Sequence, residues 1–185
     1  MTQAKTKLTA NDLVYSALFA VLITVCAWIS IPATVPFTLQ TFGVLCAMGL
    51  LGGRRATLAV LTYLLLGAVG VPVYSGFRGG LGVLLGVTGG YLAGFLVSTL
   101  LYWLLTSLLG NRPWVRILGM VVGLAACYAF GTAWFMVAYA RTAGPVSLAA
   151  ALGWCVAPFL LPEIVKTALA IFVVGVVPKR VKAFR

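Results

Sequence analysis

Histidine is absent from this 185-residue chain, and its only acidic residues are Asp12 and Glu163. The absence of histidine excludes an imidazole base, proton relay or metal ligand. Two acids so far apart in sequence do not suggest a catalytic pair of carboxylates, and a Ser-His-Asp set is impossible. We therefore expect no catalytic residue and no metal site, and predict that the protein is not an enzyme.

Other chemical signatures are missing as well. The four cysteines lie in apolar runs without the short spacing of a metal site, which favours buried, unreactive side chains: Cys26, Cys46, Cys127 and Cys155. A Gly-Lys-Ser/Thr phosphate loop is also missing, so the chain cannot draw energy from ATP through such a loop. The glycines of segment 80–86 lack the spacing and the βαβ context of a dinucleotide-binding turn. They predict a hinge, a close backbone approach or a loop that covers a ligand.

The chain is rich in long apolar segments. Hydrophobic residues make up 63% of it, charged residues only 8%, and the mean hydropathy is +1.13. Soluble domains do not reach this composition, so we predict an all-α integral membrane protein in contact with the lipid bilayer. The net charge of +11 does not indicate a nucleic-acid partner, because the basic residues are scattered between apolar segments and clustered at the termini.

Apolar segments separated by polar, glycine or proline turns predict six transmembrane helices in one membrane domain over residues 1–185. Asn11 and Asp12 are the expected N-cap of the first, and Pro162 suits the first turn of the last. A short helix is expected at about 147–156, before the last span. The predicted spans are about 13–31, 38–51, 56–70, 89–109, 115–140 and 162–177.

Basic residues predict the orientation of these spans. With six spans, ten basic residues fall on the side of the two termini: Lys5, Lys7, Arg54, Arg55, Arg112, Arg116, Lys179, Arg180, Lys182 and Arg185. The opposite side has only Arg78 and Arg141. By the positive-inside rule, both termini face the cytoplasm and the protein is a multi-pass protein of the cell membrane. Loops 32–37 and 71–88 and the start of the last span then face outward.

Glu163 and Lys166 are the candidate binding residues. An ionisable group at membrane depth costs about 2.5–3.5 kcal/mol on insertion scales, so two together need a reason. At positions i and i+3 of a helix they share one face, where the carboxylate accepts and the ammonium donates hydrogen bonds. They predict a ligand that has both donors and acceptors, and the alternative is a structural ion pair. Gln40, also in apolar surroundings, is either a ligand contact or a hydrogen bond between helices.

Small residues recur every fourth position on the first span, at Ser16, Ala20 and Thr24. Such a stripe lets another helix approach closely. The approaching helix belongs either to a partner protein or to this chain. The fourth span has a similar stripe at Gly90, Gly94 and Ser98.

Three ordered motifs resemble a known family. They are Pro36-Phe37-Thr38-Leu39-Gln40-Thr41-Phe42-Gly43-Val44, Gly76-Phe77-Arg78-Gly79-Gly80-Leu81-Gly82-Val83-Leu84 with Gly86 and Thr88-Gly89-Gly90-Tyr91, and Leu161-Pro162-Glu163-Ile164-Val165-Lys166. Together they resemble the BioY family, the biotin-specific substrate-binding (S) components of energy-coupling factor transporters. The likeness extends from about Leu13 to Val177.

This resemblance implies a six-helix protein that binds biotin from outside and needs no cofactor. It also implies partners: a transmembrane coupling protein and two cytoplasmic ATPases. Glu163 and Lys166 match the family's vitamin-binding acid and lysine, and the stripe on the first helix would dock the coupling protein. Phe77 and Tyr91 are expected beside the apolar part of biotin. Arg78 is the candidate for its carboxylate, because Leu92 stands where some members have arginine.

Two other functions compete with a transporter's binding subunit. One is a self-sufficient secondary carrier of biotin or another vitamin, in which Glu163 takes up and releases a proton. A single acid without histidine provides few protonatable groups for coupling transport to protons. The other is a membrane enzyme, for which the chain lacks the residues described above.

Overall fold

The structure of the chain, a computed structural model, describes residues 9–32 and 35–180, with side chains up to residue 177. Within these residues the fold is all-α, as predicted. The helices are α1 (Ala10–Trp28), α2 (Gln40–Leu51), α3 (Gly53–Ala68), α4 (Leu81–Leu85), α5 (Gly89–Leu109), α6 (Pro113–Ala143), α7 (Leu148–Cys155) and α8 (Leu160–Arg180). The basic residues predicted to mark the cytoplasmic termini lie in part outside the described residues: Lys5, Lys7, Lys182 and Arg185.

A capping box starts α1. The Thr9 hydroxyl accepts a hydrogen bond from the Asp12 amide at 3.3 Å, and the Asp12 carboxylate accepts one from the Thr9 amide at 3.0 Å. The prediction of Asn11 or Asp12 as the N-cap is therefore wrong by two or three residues. Asp12 instead occupies the third helical position. There its carboxylate completes the capping box and interacts favourably with the positive end of the helix dipole.

The connection between α1 and α2 is a minimal β-hairpin that the sequence did not suggest. Strand β1 (Ser30–Ile31) pairs antiparallel with β2 (Phe37–Thr38). After the hairpin, the Leu39 amide donates hydrogen bonds to the carbonyls of Cys26 and Ile29 at the end of α1. The chain is thereby folded back, and α2 starts beside the end of α1.

Helix α2 lies in the interior of the bundle. Ten of its twelve residues are buried, against α1, α3 and α8. Gly52, with φ +79°, ends α2 and leads directly into α3. Gly53 then lies against Trp103 of α5 so closely that any larger residue would collide with its backbone.

The stripe on α1 packs inside the chain, against α3. Ser16, Ala20 and Thr24 are all buried, and the Ser16 hydroxyl donates a hydrogen bond to the Arg55 carbonyl at 3.1 Å. This corrects the expectation of a free docking face for a coupling protein. A small-residue stripe predicts close helix contact, but here the contacting helix is in the same chain. The opposite face of α1 is exposed and carries apolar side chains, among them Leu18.

Helices α5 and α6 make the most extensive helix–helix contact among the described residues. The glycine stripe of α5 lies in their interface: Gly90 faces Trp134, and Gly94 faces Cys127. A Cβ at Gly94 would lie 2.9 Å from the Cys127 sulfur, so glycine is needed for this approach. The second stripe is therefore also internal packing.

The sequence predicts a loop over 71–88, and the structure gives this segment more order. Tyr74 and Arg78 form an antiparallel bridge, and residues 81–85 form the short helix α4. Two indole groups hold the segment, because Trp28 donates to the Pro72 carbonyl and Trp134 donates to the Gly86 carbonyl, each at 2.9 Å. The segment is thus fixed near both of its ends, to α1 and to α6.

Each predicted span coincides with a helix of the structure, and the predicted short helix with α7. Ser147 caps α7, and a 3-10 turn (Ala157–Phe159) leads into α8, with Pro162 in its first turn. Within the described residues, four stretches are long and apolar enough to cross a membrane: α1, α5, α6 and the stretch Leu148–Val177. Helix α2 is a shorter apolar helix.

Candidate ligand-binding site

A cavity of about 680 Å³, including its open mouth, lies at the end of the bundle where α2, α5 and α8 begin. Its walls come from distant parts of the chain: the α1–α2 connection, segment 71–88, and helices α5 to α8. Most of the lining is apolar, and the polar groups converge on the start of α8.

The acid and the lysine on α8 form an ion pair in the wall of this cavity. Both residues are about 5% exposed, and the Lys166 ammonium donates a hydrogen bond to Oε1 of Glu163. Oε1 also accepts one from the Thr41 hydroxyl at 3.0 Å. Lys166 donates another to the Thr38 carbonyl at 3.0 Å and lies 4.9 Å from the centre of the Phe37 ring. Strand β2 and the first turn of α2 therefore hold the pair in place.

One oxygen of this carboxylate is unused. Oε2 of Glu163 is buried and has no hydrogen-bond partner among the described residues. Leaving a buried acceptor unpaired costs roughly 1–3 kcal/mol, and more for a charged group. A ligand that brings an N–H or O–H group into the cavity would remove that cost.

Gln40 adds an amide to the same wall. Its Nε2 donates to the Tyr63 hydroxyl at 2.5 Å, and its Oε1 accepts from the Thr38 hydroxyl at 3.0 Å. The side chain is buried and lines the cavity, so the remaining N–H and the remaining lone pair of the amide are available there. Gln40 thus connects α3, through Tyr63, with the residue that holds Lys166.

Aromatic side chains form another part of the wall. Tyr91 lines the cavity, and its hydroxyl shares a hydrogen bond of 3.0 Å with the Thr132 hydroxyl of α6. Tyr128 packs edge-on against Tyr91 and lies beside Glu163. These side chains offer flat apolar surface with few polar atoms, which suits an apolar ring system.

Segment 71–88 forms the mouth. Arg78 lines it with an exposed side chain, and its Nε donates to the Ser75 carbonyl at 3.1 Å. Tyr74 lies beneath, and burial raises the pKa of its phenol to about 12, so it stays neutral. The guanidinium of Arg78 therefore places a positive charge at the mouth of the cavity.

The structure does not bring Phe77 into the cavity. Its ring is 63% exposed and stacks on Trp28, with 4.9 Å between ring centres. Phe77 has φ +56°, an unusual value for a residue other than glycine, within the tight turn between Tyr74 and Arg78. This turn directs Phe77 outward, while its neighbour Arg78 reaches the mouth.

Comparison of the sequence with known proteins identifies its family. The family model described as "BioY family" matches residues 1–183. The chain belongs to the BioY family. A curated relative from Pyrococcus horikoshii, named a probable biotin transporter, is 39% identical over 165 residues, which are 89% of this chain and 94% of the relative. One from Thermotoga maritima, named a biotin transporter, is 45% identical over 122 residues, 65% of this chain and 72% of the relative.

A solved structure agrees with these relatives. The crystal structure of the S-component for biotin from an ECF-type ABC transporter superposes with a TM-score of 0.80 at 25% sequence identity. The likeness covers 97% of this chain and all of that one. The resemblance seen in three sequence motifs is therefore confirmed, and the BioY relatives are named as transporters rather than enzymes.

Of the residues expected to bind the ligand in this BioY chain, the structure brings five to one cavity: Glu163, Lys166, Gln40, Arg78 and Tyr91. The sequence did not point to Thr38, Thr41 or Tyr128 as wall residues. The two threonines lie beside Gln40 at the start of an apolar helix, and this cluster of polar residues was the available signal. The described residues hold no group of His, Cys, Asp or Glu suited to a metal ion.

Proposed function

We propose that this chain is a biotin-binding membrane subunit that takes part in biotin uptake. The observation that carries the proposal is the buried Glu163–Lys166 pair, in which Oε2 of the acid is unpartnered in the wall of a small-molecule cavity. The names of the BioY relatives support biotin as the ligand. Biotin here is the transported ligand, and no cofactor is proposed.

The hydrogen-bonding groups left open in the wall fit the head of biotin. Oε2 of Glu163 and one lone pair of Gln40 can accept. One N–H of Gln40 and one of Lys166 can donate, after the hydrogen bonds that the structure describes. The ureido group of biotin has two N–H donors and one carbonyl with two lone pairs. A ligand without these groups would leave the buried polar atoms unpaired, which disfavours it.

The rest of biotin suits the rest of the cavity. Its bicyclic ring would lie against the aromatic wall near Tyr91 and Tyr128, and its apolar valeryl chain would extend toward the mouth. Arg78 would meet the carboxylate there. This arrangement places recognition of the head deep in the cavity and contact with the tail at the exposed rim.

We further propose six spans in the cell membrane, with both termini cytoplasmic and the cavity mouth outside. The ten-to-two asymmetry of basic residues supports this orientation. Single cysteines at Ser75 and Asn111 test it, because the four native cysteines are free but buried. An impermeant thiol reagent should label intact cells at position 75 and not at 111, and the reverse result would invert the topology.

The similarity to an ECF S-component supports association with a transmembrane coupling protein and two ATPases. The purified chain alone, reconstituted in liposomes, should then bind biotin without accumulating it. Accumulation driven by a proton gradient would instead support a self-sufficient carrier.

A thermal-shift panel of vitamins on the detergent-purified chain tests the ligand. A ligand that binds only the folded state raises its apparent stability, by about 2.7 kcal/mol at a concentration one hundred times its Kd. Biotin should raise the apparent melting temperature well above the values found with thiamine, riboflavin or lipoate. No shift with biotin, or a larger one with another vitamin, would overturn the proposal.

A further inference from the structure

Tyr63 is a buried tyrosine whose hydroxyl lies behind the cavity wall. It belongs to α3, has no exposed surface, and is not among the residues that line the cavity. Its ring packs edge-on against Tyr74, 5.5 Å away between centres. The hydroxyl accepts a hydrogen bond from Nε2 of Gln40 at 2.5 Å. Nothing in the motifs of the sequence singles this residue out.

This hydrogen bond starts a chain that ends at the ion pair. Gln40 accepts from the Thr38 hydroxyl, and the Thr38 carbonyl accepts from the Lys166 ammonium. The backbone amide of Gln40 also donates to the Thr38 hydroxyl, at 3.3 Å. Tyr63 is therefore the outermost member of a network that reaches the residues facing the ligand.

The hydrogen bond to Tyr63 restricts the orientation of the Gln40 side-chain amide. A primary amide has two N–H donors and two acceptor lone pairs, and it can rotate between several orientations. With one N–H on Tyr63 and one lone pair on Thr38, the amide has one donor and one acceptor left for a ligand. Without the hydroxyl, the N–H that faced Tyr63 would lose its buried partner, and the amide would gain other orientations.

We propose that Tyr63 is a positioning residue for ligand recognition, which acts by fixing the side-chain amide of Gln40 in the orientation that the ligand's ureido group needs. The inference rests on the proposed function of biotin binding. A preset orientation removes the need to order a flexible side chain when the ligand binds, and such preorganisation raises affinity. Tyr63 itself does not touch the ligand.

A double-mutant cycle between Tyr63→Phe and Gln40→Ala tests the proposal. Biotin affinity is measured on detergent-purified wild type, both single variants and the double variant. The loss of one buried hydrogen bond predicts a binding defect of about five- to tenfold for Tyr63→Phe. If Tyr63 acts through Gln40, the same change should have almost no effect on affinity when Gln40 is already alanine.

Tyr102→Phe is the matched control. Tyr102 is also a buried tyrosine of the bundle, but it packs against Gly119 and does not line the cavity. It should leave biotin affinity unchanged. The apparent melting temperature of all variants without biotin is measured in parallel, so that a general loss of stability is distinguished from a specific loss of binding.

The outcomes separate the inference from the function on which it rests. Wild-type protein that binds no biotin would end the proposed function, and the role of Tyr63 with it. Wild-type protein that binds biotin, with unchanged affinity in Tyr63→Phe, would overturn the role of Tyr63 alone. Equal losses from Tyr63→Phe with and without Gln40 would also overturn it, because the hydroxyl would then act through another contact or through stability alone.

Discussion

At the scale of single residues, the ion pair on α8 is tolerated in an apolar bundle because its charges are satisfied locally. Glu163 receives hydrogen bonds from Thr41 and Lys166, and Lys166 also reaches the Thr38 carbonyl and the Phe37 ring. A buried pair gains little stability over apolar residues, but the loss of one partner leaves an uncompensated charge, at about 3–5 kcal/mol. The pair is therefore better explained by ligand binding than by a contribution to stability.

Neighbouring residues at the mouth give a matched pair of variants. Arg78→Ala should weaken biotin binding up to about fivefold, because exposed charge pairs contribute about 0.2–1 kcal/mol. Phe77→Ala should leave it unchanged, since its ring lies outside the cavity on Trp28. Titration with biotin and with its uncharged methyl ester checks the cause, because Arg78→Ala should not affect the ester. Equal loss for both ligands would contradict a carboxylate contact.

The sequence revealed some of the site residues and not others, for a physical reason. Glu163 and Lys166 were found because charge is rare in an apolar chain and costly in a membrane. Threonine and tyrosine cost little there, so Tyr63 and Tyr128 give no signal before tertiary contacts are known. Thr41 is indicated only by its polar neighbours at the start of an apolar helix.

At the scale of helices, the packing of α1 shows what a small-residue pattern predicts. It correctly indicated close helix contact at Ser16, Ala20 and Thr24. The helix that makes the contact depends on the three-dimensional arrangement, and here it is α3 of the same chain. Any partner that docks on α1 would meet the opposite, exposed face.

Two tryptophan substitutions on α1 test this arrangement. Ala20 is buried and Ala17 is exposed, so a large side chain should be tolerated at position 17 only. Overpacking a core costs typically about 1–3 kcal/mol, so Ala20→Trp should lower the apparent melting temperature and the yield of folded protein. Ala17→Trp should fold and bind biotin as the wild type does. Normal stability of Ala20→Trp would show that its face is free.

Long elements were easier to predict than short ones. Apolar runs located the helices that correspond to the predicted spans within a few residues. The hairpin of β1 and β2 and the five-residue helix α4 were missed, because two to five residues carry too little periodicity to identify a structure. The β2 and α4 elements each contribute a residue to the cavity wall, Thr38 and Val83, so the details of its shape could not be predicted from the sequence.

At the scale of the whole molecule, the two acids lie at opposite ends of the bundle. Glu163 is at the cavity, and Asp12 is at the start of α1, where its carboxylate pairs with Arg55 at 2.5 Å. Arg55 lies in the first turn of α3 and also over the Tyr15 ring. The two ion pairs resemble each other chemically, but only the Glu163 pair borders the cavity. Equivalent substitutions in the two pairs therefore distinguish an effect on ligand binding from a general loss of electrostatic stabilisation.

Biotin titration of Glu163→Gln beside Asp12→Asn is the most direct measurement of whether this cavity recognises the vitamin through its acid. Both changes replace an ion-paired carboxylate with an amide of the same size. Glu163→Gln should weaken biotin binding about ten- to a hundredfold, since hydrogen bonds to a charged group contribute about 1.5–3 kcal/mol. Asp12→Asn should retain wild-type affinity. Wild-type affinity in folded Glu163→Gln would show that the pair is structural and that biotin, if bound, is recognised elsewhere.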